Sequence, residues 1–228
     1  MTFDELQLSI KVTFNNKNLL RQAFIHRSFL NEDKTAKESN ERLEFLGDAI
    51  LSFCTSQFLY TTYPNYPEGT LTNIRSSLVK TTSLSDAAKS LRLGDLLLLS
   101  HGEEDSGGRN NQSLLADCFE ALLGAMYLDQ GIDVVRMFLE THLFLYAQTI
   151  IDQKSYIDYK SLLQEIIQEE SRISPTYRVT KSDGPDHAKI FWVDAVVGEK
   201  ILGSGEGKSK QEAEQHAASN ALEKMGRL

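Results

Sequence analysis

The stretch Asn40–Leu51, NERLEFLGDAIL, decides the fold of this chain. Its apolar residues spread round most of a helix circumference, which predicts a buried helix. Yet Glu41, Glu44 and Asp48 recur at spacings of three and four residues, so their side chains form one acidic stripe. Basic residues at neighbouring helical positions are nearly absent, and only Lys37 precedes Glu41 at such a spacing. The stripe therefore needs a positive charge from elsewhere, either a distant basic side chain or a divalent cation.

A second stretch, SLLADCFEALLGAMYLD at 113–129, repeats this arrangement. Asp117 and Glu120 lie three residues apart on a predicted apolar helix, and the neighbouring helical positions hold no base. If the two helices pack face to face, their carboxylates form one cluster. Such a cluster can hold two divalent cations, which activate water and stabilise the leaving oxygen in phosphodiester cleavage. The two stripes together favour a metal site over a solvated, ion-paired surface.

Helical periodicity extends over the first 150 residues, without strand-like alternation. The predicted helical stretches are 17–29, 39–63, 69–80, 83–93, 113–131 and 133–150, and 102–111 is predicted to be a polar, glycine-rich loop. Beyond residue 156 the pattern changes to an amphipathic helix, three strands rich in β-branched and aromatic residues, and an alanine-rich helix capped by Ser209. We therefore predict an all-α domain at 1–149, a linker at 150–156 and a small α-β-β-β-α domain at 157–226.

Composition and charge limit which partners and cofactors the chain can be expected to bind. The formal net charge is −8 and neither half of the chain is net positive, so any binding to a nucleic acid must use local basic patches. No apolar run is long enough to cross a membrane, and no signal peptide is apparent. Cys54 and Cys118 are too few for a disulfide framework and suit core positions in a reducing cytoplasm. GEGKSK has Leu202 where a phosphate loop needs glycine, so we expect no nucleotide cofactor.

NERLEFLGDAIL resembles the signature helix of the ribonuclease III family, and LLADCFEALLGAMYLDQG and EGTLTNIRSSLV resemble two further segments of that family. The C-terminal stretches DYKSLLQE and GEGKSKQEAEQHAA resemble a double-stranded-RNA-binding domain, in the family's bacterial two-domain order. The resemblance implies a Mg²⁺-dependent endonuclease, with Mn²⁺ as a substitute, that cuts double-stranded RNA as a homodimer in the cytoplasm. It also implies products with 5′-phosphates and short 3′ overhangs, and processing of ribosomal RNA precursors and other structured RNAs.

The resemblance assigns roles to particular residues. The family's four catalytic and metal-binding carboxylates fall on Glu44, Asp48, Asp117 and Glu120. Glu41 and Glu68 match accessory acidic positions, although Glu68 also suits the start of a helix by its charge alone. Phe45 matches an aromatic that inserts into the partner subunit, with an ordinary core position as the alternative.

In the C-terminal domain the resemblance implies a set of RNA contacts. Lysines face phosphates at a strand-to-helix turn, and other polar side chains reach 2′-hydroxyls in the minor grooves. The residues are Gln164, Gln168, His187, Lys208, Ser209 and Lys210. The family usually has two consecutive lysines after the serine, whereas here Gln211 follows Lys210, which weakens the expected binding.

Two other functions remain open from the sequence. One is a non-catalytic double-stranded-RNA-binding protein that keeps the nuclease fold for dimerisation, although all four carboxylates are intact. The other is a helical metal-dependent hydrolase acting on nucleotides or other phosphoesters. That class would call for histidine ligands, and none of the five histidines lies beside the acidic stripes in sequence.

Overall fold

The structure, a computed structural model, describes residues 1–185 and 188–228. It divides the chain into two compact units, Met1–Tyr156 and Ile157–Leu228. The first unit is helical, and the second combines an antiparallel sheet with two flanking helices in the order α-β-β-β-α. The predicted fold class is therefore confirmed.

The first unit is built from α-helices joined by short turns and 3₁₀ segments. The helices are α1 Phe3–Ile10, α2 Lys17–Gln22, α3 Glu41–Thr62, α4 Glu68–Val79, α5 Thr81–Ser90, α6 His101–Asp105, α7 Gln112–Gln130, α8 Ile132–His142 and α9 Ala147–Asp152. The 3₁₀ segments are Arg27–Asn31, Leu93–Leu96, Gly108–Asn110 and Phe144–Tyr146. Helices α3 and α7 are the longest and pack against each other at the centre of the unit.

Local chemistry explains where these two central helices begin and end. Helix α7 starts at a capping residue, Asn111, whose side-chain oxygen accepts from the backbone N–H groups of Ser113 and Leu114. Helix α3 stops just before Pro64, which disfavours helical backbone at the preceding residue. Fully buried side chains such as Leu51 and Phe119 then fix the two helices in one core.

Some local predictions were wrong. Residues 17–29 and 133–150 do not form continuous helices, because α2 ends at Gln22 and α8 ends at His142. After α8 the chain turns so that Leu143 and Phe144 enter the core. The predicted loop at 102–111 instead carries α6 and a 3₁₀ turn. Ser100 caps α6, accepting from the backbone N–H of Glu103, and polar capping of this kind stabilises even a short polar helix.

The second unit consists of α10 Tyr159–Ser171, β1 Thr176–Asp183, β2 Ile190–Val197, β3 Lys200–Gly207 and α11 Lys210–Lys224. In the described residues the strands pair antiparallel in the order β1-β2-β3. One sheet face buries Val193 and Ala195 together with Leu163 of α10 and alanines of α11. As predicted, Ser209 caps α11, accepting from the backbone N–H of Glu212.

The glycines of β3 have a packing role. A Cβ on Gly205 would lie 2.3 Å from the backbone nitrogen of Ala217, and Gly203 and Gly207 face α11 at similarly short range. Bare glycine backbone therefore lets α11 lie directly on the strand. This accounts for the glycine-rich GEGKSK region without a nucleotide.

The end of the first unit overlaps the predicted linker. Ile150, Ile151 and Tyr156 pack against a small core formed by Leu59, Ile74, Leu78 and Ala147. Within the described part of the chain, no helix has the length and apolar character needed to cross a membrane.

Candidate functional site

The two acidic stripes meet because α3 and α7 approach unusually closely. A Cβ on Gly47 would lie 1.8 Å from the backbone oxygen of Glu120, and one on Gly124 would lie 2.2 Å from that of Leu43. These reciprocal contacts show that the helices run antiparallel, with no side chain separating their backbones at either point. Glu44 on α3 and Asp117 and Glu120 on α7 lie at or near these contacts, and their carboxylates are thereby brought together.

Three carboxylates converge there. Carboxylate oxygens of Glu44, Asp117 and Glu120 all lie within 4.8 Å of one another, and each side chain is half-buried. We call these three residues the carboxylate cluster. Among the described residues, none of these three carboxylates forms a salt bridge with a basic side chain. The cluster therefore concentrates negative charge without a neutralising side chain of its own.

Burial and mutual repulsion disfavour ionisation of the cluster. Burial, followed by the charges of Asp48, Asp117 and Glu44, raises the pKa of Glu120 to about 8. Burial also raises the pKa of Glu44, with Asp117 as its next largest cause. The pKa of Asp117 is raised by burial, which the nearby His26 imidazole partly offsets. The folded chain thus holds acidic groups that a cation would restore to their charged form.

The cluster suits a hard divalent cation. Its donors are all carboxylate oxygens, which Mg²⁺ and related ions prefer, and Mg²⁺ needs only a few protein ligands because it retains water. Burial beside like charges raises the pKa of Glu120, and a divalent cation among these carboxylate oxygens would offset that repulsion. The residues present therefore fit a divalent metal centre.

The remaining predicted acidic residues lie outside this trio. Asp48 is exposed on α3, and its charge acts on Glu120. Glu41 is also exposed and is partnered: its carboxylate lies 3.7 Å from the Arg27 guanidinium and accepts from the Ser39 hydroxyl at 2.8 Å. Glu68 is exposed at the start of α4, where its carboxylate accepts from the Thr72 hydroxyl at 3.4 Å.

A cavity of about 240 Å³ opens beside the cluster. Its lining residues are His26, Arg27, Asn40, Glu41, Glu44, Leu97, Leu114 and Asp117. Sequence reasoning missed His26 and Arg27, because they lie well before α3 and reach it only through the fold. In the structure His26 caps the 3₁₀ segment Arg27–Asn31, its side chain accepting from the Ser28 backbone N–H.

The predicted RNA contacts lie in the second unit at exposed positions. Gln164 and Gln168 are exposed on α10, where Gln168 donates to the Ser174 hydroxyl at 2.9 Å. Lys208 and Lys210 flank the Ser209 cap, and the Lys210 ammonium lies 6.0 Å from the Phe191 ring centroid. His187 lies outside the described residues.

Phe45 is 82% exposed, so it does not belong to the core of its own chain. Phe53 and Tyr60 follow it on α3 at spacings of eight and seven residues and are 55% and 74% exposed. Residues seven or eight apart share a helix face. Helix α3 therefore carries an exposed aromatic stripe, Phe45–Phe53–Tyr60, of which sequence reasoning identified only the first member.

We expect a pH-dependent difference in stability between the wild-type chain and Glu120→Gln in EDTA. Folded Glu120 keeps its proton up to about pH 8, whereas the unfolded chain releases it near pH 4.5. The folded state thus binds more protons in this window, and its stability falls as pH rises. The variant lacks this loss, so its melting temperature relative to wild type should rise from pH 5 to pH 8, as measured by calorimetry. A difference that is constant with pH contradicts the expectation, and the exposed Glu140→Gln provides the control.

Comparisons with known proteins show which families and relatives the chain is similar to. Residues 16–146 match the family model described as Ribonuclease-III-like, and residues 159–225 match the model for the double-stranded RNA binding motif. The chain is 45% identical over 217 residues to Ribonuclease 3 of Borreliella afzelii, covering 95% of this chain and 89% of the relative. It is 47% identical over 227 residues to Ribonuclease 3 of Bacillus velezensis, covering 98% of this chain and 90% of the relative.

Solved structures give the same picture for the first unit. The crystal structure of the ribonuclease III nuclease domain from Campylobacter jejuni matches with a TM-score of 0.59 and 36% identity, covering 63% of this chain and 95% of that one. A second structure of that domain, with the same score and identity and covering 97% of that chain, is described as showing flexibility in a region involved in dimer formation.

Proposed function

Because the chain belongs to the ribonuclease III family, we propose that it cleaves double-stranded RNA at the carboxylate cluster, with Asp48 as the fourth acidic residue of the site. It is an endoribonuclease that hydrolyses phosphodiester bonds. The observation that carries the proposed location is the convergence of Glu44, Asp117 and Glu120 within 4.8 Å on two closely packed helices.

We propose Mg²⁺ as the physiological ion, with Mn²⁺ as a substitute, held by Glu44, Asp48, Asp117 and Glu120. When bound at such a site, divalent ions activate water and stabilise the leaving oxygen. The chain itself supplies a fixed acidic cluster, since the backbone contacts at Gly47 and Gly124 hold α3 and α7 in close register. Glu41 and Glu68 are proposed as accessory groups at the rim.

Membership of the family suggests the reaction products, the RNA substrates and the cellular compartment. We propose 5′-phosphate ends with short 3′ overhangs, and ribosomal RNA precursors and other structured RNAs as substrates. The cytoplasm is the proposed compartment, in keeping with two buried free thiols. The proposed domain division is 1–149 for the nuclease, 150–156 for the connection and 157–226 for RNA binding.

The second unit is proposed to hold the duplex. Lys208 and Lys210 would contact phosphates at the N-terminus of α11, where the Ser209 cap leaves other backbone N–H groups free to face an anion. Gln164, Gln168 and His187 would contact 2′-hydroxyls in the minor groove. Such local contacts allow an acidic chain to bind a polyanion.

A homodimer is proposed from the aromatic stripe Phe45–Phe53–Tyr60. Large apolar side chains exposed in a row mark association surfaces. A twofold dimer places the same patch on both subunits, so one stripe can serve both partners. Two sites in one particle would allow both strands of a duplex to be cut.

The decisive experiment incubates end-labelled, fully paired RNA with the chain in Mg²⁺ and, in parallel, in EDTA. We expect short duplex products in Mg²⁺ only, with binding retained in EDTA. Retained binding without cleavage in either Mg²⁺ or Mn²⁺ would instead identify a non-catalytic duplex-binding protein. Hydrolysis of mononucleotides with no action on duplex RNA would identify a hydrolase of small phosphoesters.

Phe45→Ala is expected to weaken the dimer without unfolding the subunit. The side chain is exposed in the single chain, so its removal leaves no cavity in that chain's own core. In a dimer where Phe45 becomes buried, its loss costs about 3–5 kcal/mol. Light scattering over a dilution series should show monomer at concentrations where wild type remains dimeric. An unchanged dissociation constant would remove Phe45 from the interface; Leu8→Ala, at another exposed apolar residue, is the control.

Gln211→Lys is expected to tighten binding to duplex RNA of any sequence. The new cation would lie in the first turn of α11 beside Lys208 and Lys210, where phosphates are proposed to bind. One added phosphate contact steepens the log–log salt dependence by about 0.7–0.9. Glu223→Gln raises the net charge equally at the far end of α11, and filter binding should show little change for it. Equal effects of the two variants would argue against a phosphate site at this turn.

A further inference from the structure

Arg27 is the basic residue at the cavity beside the carboxylate cluster, and the proposed site gives it no role. Of the described residues that line the cavity next to Glu44 and Asp117, it is the only lysine or arginine. Its side chain is 73% exposed, so the guanidinium lies at the mouth of the cavity rather than in the core. Arginine stays charged at every working pH, so a permanent cation lies at the entrance of an acidic site.

The backbone that carries Arg27 is fixed at the start of α3. The carbonyl of Ile25 accepts from the N–H of Asn40 at 2.8 Å, directly before α3 begins. The N–H of His26 donates to the Leu98 carbonyl at 3.0 Å. Arg27 follows these two bonded residues, so its backbone is attached to the N-terminal end of the helix that carries the first acidic stripe.

Glu41 holds the guanidinium beside that stripe. Nη1 of Arg27 lies 3.7 Å from Oε1 of Glu41, and Oε2 of Glu41 accepts from the Ser39 hydroxyl at 2.8 Å. Glu41 also lies in the first turn of α3, where the helix dipole favours a carboxylate. It precedes Glu44 by three residues, which is about 4.5 Å along a helix axis. The guanidinium is therefore held by a residue one helical turn before the carboxylate cluster.

Most of the donor capacity of Arg27 is unused. A guanidinium presents several N–H donors in a planar fork that matches the oxygens of a carboxylate or a phosphate. In the described part of the chain, the Arg27 side chain forms the ion pair with Glu41 and donates no hydrogen bond. An exposed ion pair of this kind contributes little to folding stability. The fork is thus free to bind an anion that enters the cavity.

The anion that must enter this site is the RNA backbone. Cations held by the carboxylate cluster would neutralise the phosphate that is cut, but the phosphates on either side of it would still meet negative charge. Arginine binds phosphate through two parallel N–H donors and neutralises its charge. A guanidinium at the rim offsets the repulsion of a neighbouring phosphate, and Arg27 supplies one.

We infer that Arg27 binds a phosphate next to the scissile one, and that Glu41 acts by holding the Arg27 guanidinium in place rather than by binding the cation. The inference rests on the proposed function, since it takes the RNA backbone as the ligand of this site. It gives the accessory carboxylate Glu41 a defined task, which is to orient a group that binds the substrate.

The first test replaces both members of the pair in the full chain. Arg27→Ala should lower kcat/KM for duplex RNA about 10–100-fold, the range expected for one contact to a charged group. Arg27→Lys keeps the charge without the fork and should recover part of the loss. Glu41→Gln should lower kcat/KM in the wild-type chain and cause no further loss in Arg27→Ala, because two residues that act through one contact are not additive.

The control for this cycle is Arg21→Ala. Arg21 pairs with Asp33 at 3.5 Å and does not line the cavity, so its loss should leave kcat/KM close to wild type. Wild-type kcat/KM in Arg27→Ala overturns the inference, as do fully additive losses in the double variant of Arg27 and Glu41.

Mn²⁺ binding distinguishes an effect on RNA from an effect on the cation. Electron paramagnetic resonance of the free ion, measured without RNA, should give Mn²⁺ affinities close to wild type for Arg27→Ala and Glu41→Gln. A fall in Mn²⁺ affinity of Glu41→Gln as large as its fall in kcat/KM would identify Glu41 as a cation ligand and overturn the inference.

A change in the RNA tests for the contacted phosphate. A methylphosphonate linkage removes the negative charge of one phosphate, and it can be placed in turn at each linkage beside the wild-type cut. At one position it should slow cleavage by the wild-type chain and cause no further loss in Arg27→Ala. Equal losses for the two proteins at every position would overturn the inference.

These outcomes separate the inference from the proposed function. If wild type cuts duplex RNA and Arg27→Ala cuts it equally well, the inference alone fails. If wild type binds duplex RNA and does not cut it, the proposed function fails, and filter binding in Mn²⁺ over a range of KCl concentrations decides the inference. The log–log salt dependence should then be shallower by about 0.7–0.9 in Arg27→Ala, and an unchanged slope overturns the inference.

Discussion

Glu120→Gln is expected to reduce cleavage of duplex RNA by at least about a hundredfold while leaving duplex binding intact. The substitution keeps the shape of the side chain but removes one of three charges that converge within 4.8 Å. Loss of electrostatic stabilisation at a metal site costs several kcal/mol, and about 1.4 kcal/mol corresponds to a tenfold change in rate. Binding should survive, because Lys208 and Lys210 lie in the other unit.

The same variant should not be destabilised when metal is absent. Burial beside like charges already raises the pKa of Glu120 to about 8, so an uncharged amide suits the metal-free site. Single-turnover cleavage, filter binding and calorimetry on one preparation measure all three properties. Raised Mg²⁺ should restore part of the activity. Near wild-type cleavage by Glu120→Gln would show that this carboxylate does not serve the metal centre, and Glu140→Gln controls for loss of a surface charge.

Gly47→Ala is expected to destabilise the first unit by about 3 kcal/mol and to abolish cleavage even where the chain stays folded. A Cβ at position 47 would lie 1.8 Å from the backbone oxygen of Glu120, a distance that no packing tolerates. The obstacle is backbone, so no side chain can rotate away and the helices must separate. Overpacking of this kind typically costs about 1–3 kcal/mol and shifts backbone. Separation would also pull Glu44 away from Glu120.

Chemical denaturation and cleavage measured below the melting transition would check this expectation. Gly102→Ala is the matched control, since a Cβ there meets nothing within 4 Å and alanine favours the helix by up to about 1 kcal/mol over glycine. Gly47→Ala with unaltered stability and activity would mean that α3 and α7 can separate without cost to the site.

The sequence by itself determined the features that depend on neighbouring residues. The spacing of Glu41, Glu44 and Asp48, and of Asp117 and Glu120, placed each set on one helix face because an α-helix has a fixed 3.6-residue repeat. The β-branched and aromatic content of the strands, and a serine before the last helix, likewise predicted the α-β-β-β-α unit and its Ser209 cap. These properties need no knowledge of distant parts of the chain.

Only the tertiary structure decided which carboxylates meet. Glu44, Asp117 and Glu120 converge because backbone contact at Gly47 and Gly124 sets a short distance between α3 and α7, whereas Asp48 is exposed. Neither glycine is marked by helical periodicity. The sequence therefore identifies the acidic residues, but packing between helices selects the trio.

The fold also decided what surrounds the cluster. Arg27 pairs with Glu41, and His26 faces the cavity beside Asp117, although neither lies near an acidic stripe in sequence. Their placement depends on hydrogen bonds from residues 24–26 to Leu98 and Asn40, which join segments far apart in the chain. Such long-range contacts depend on the packing of the whole unit. Local residue patterns reflect only residues within a few turns of the same helix, so they cannot predict these contacts.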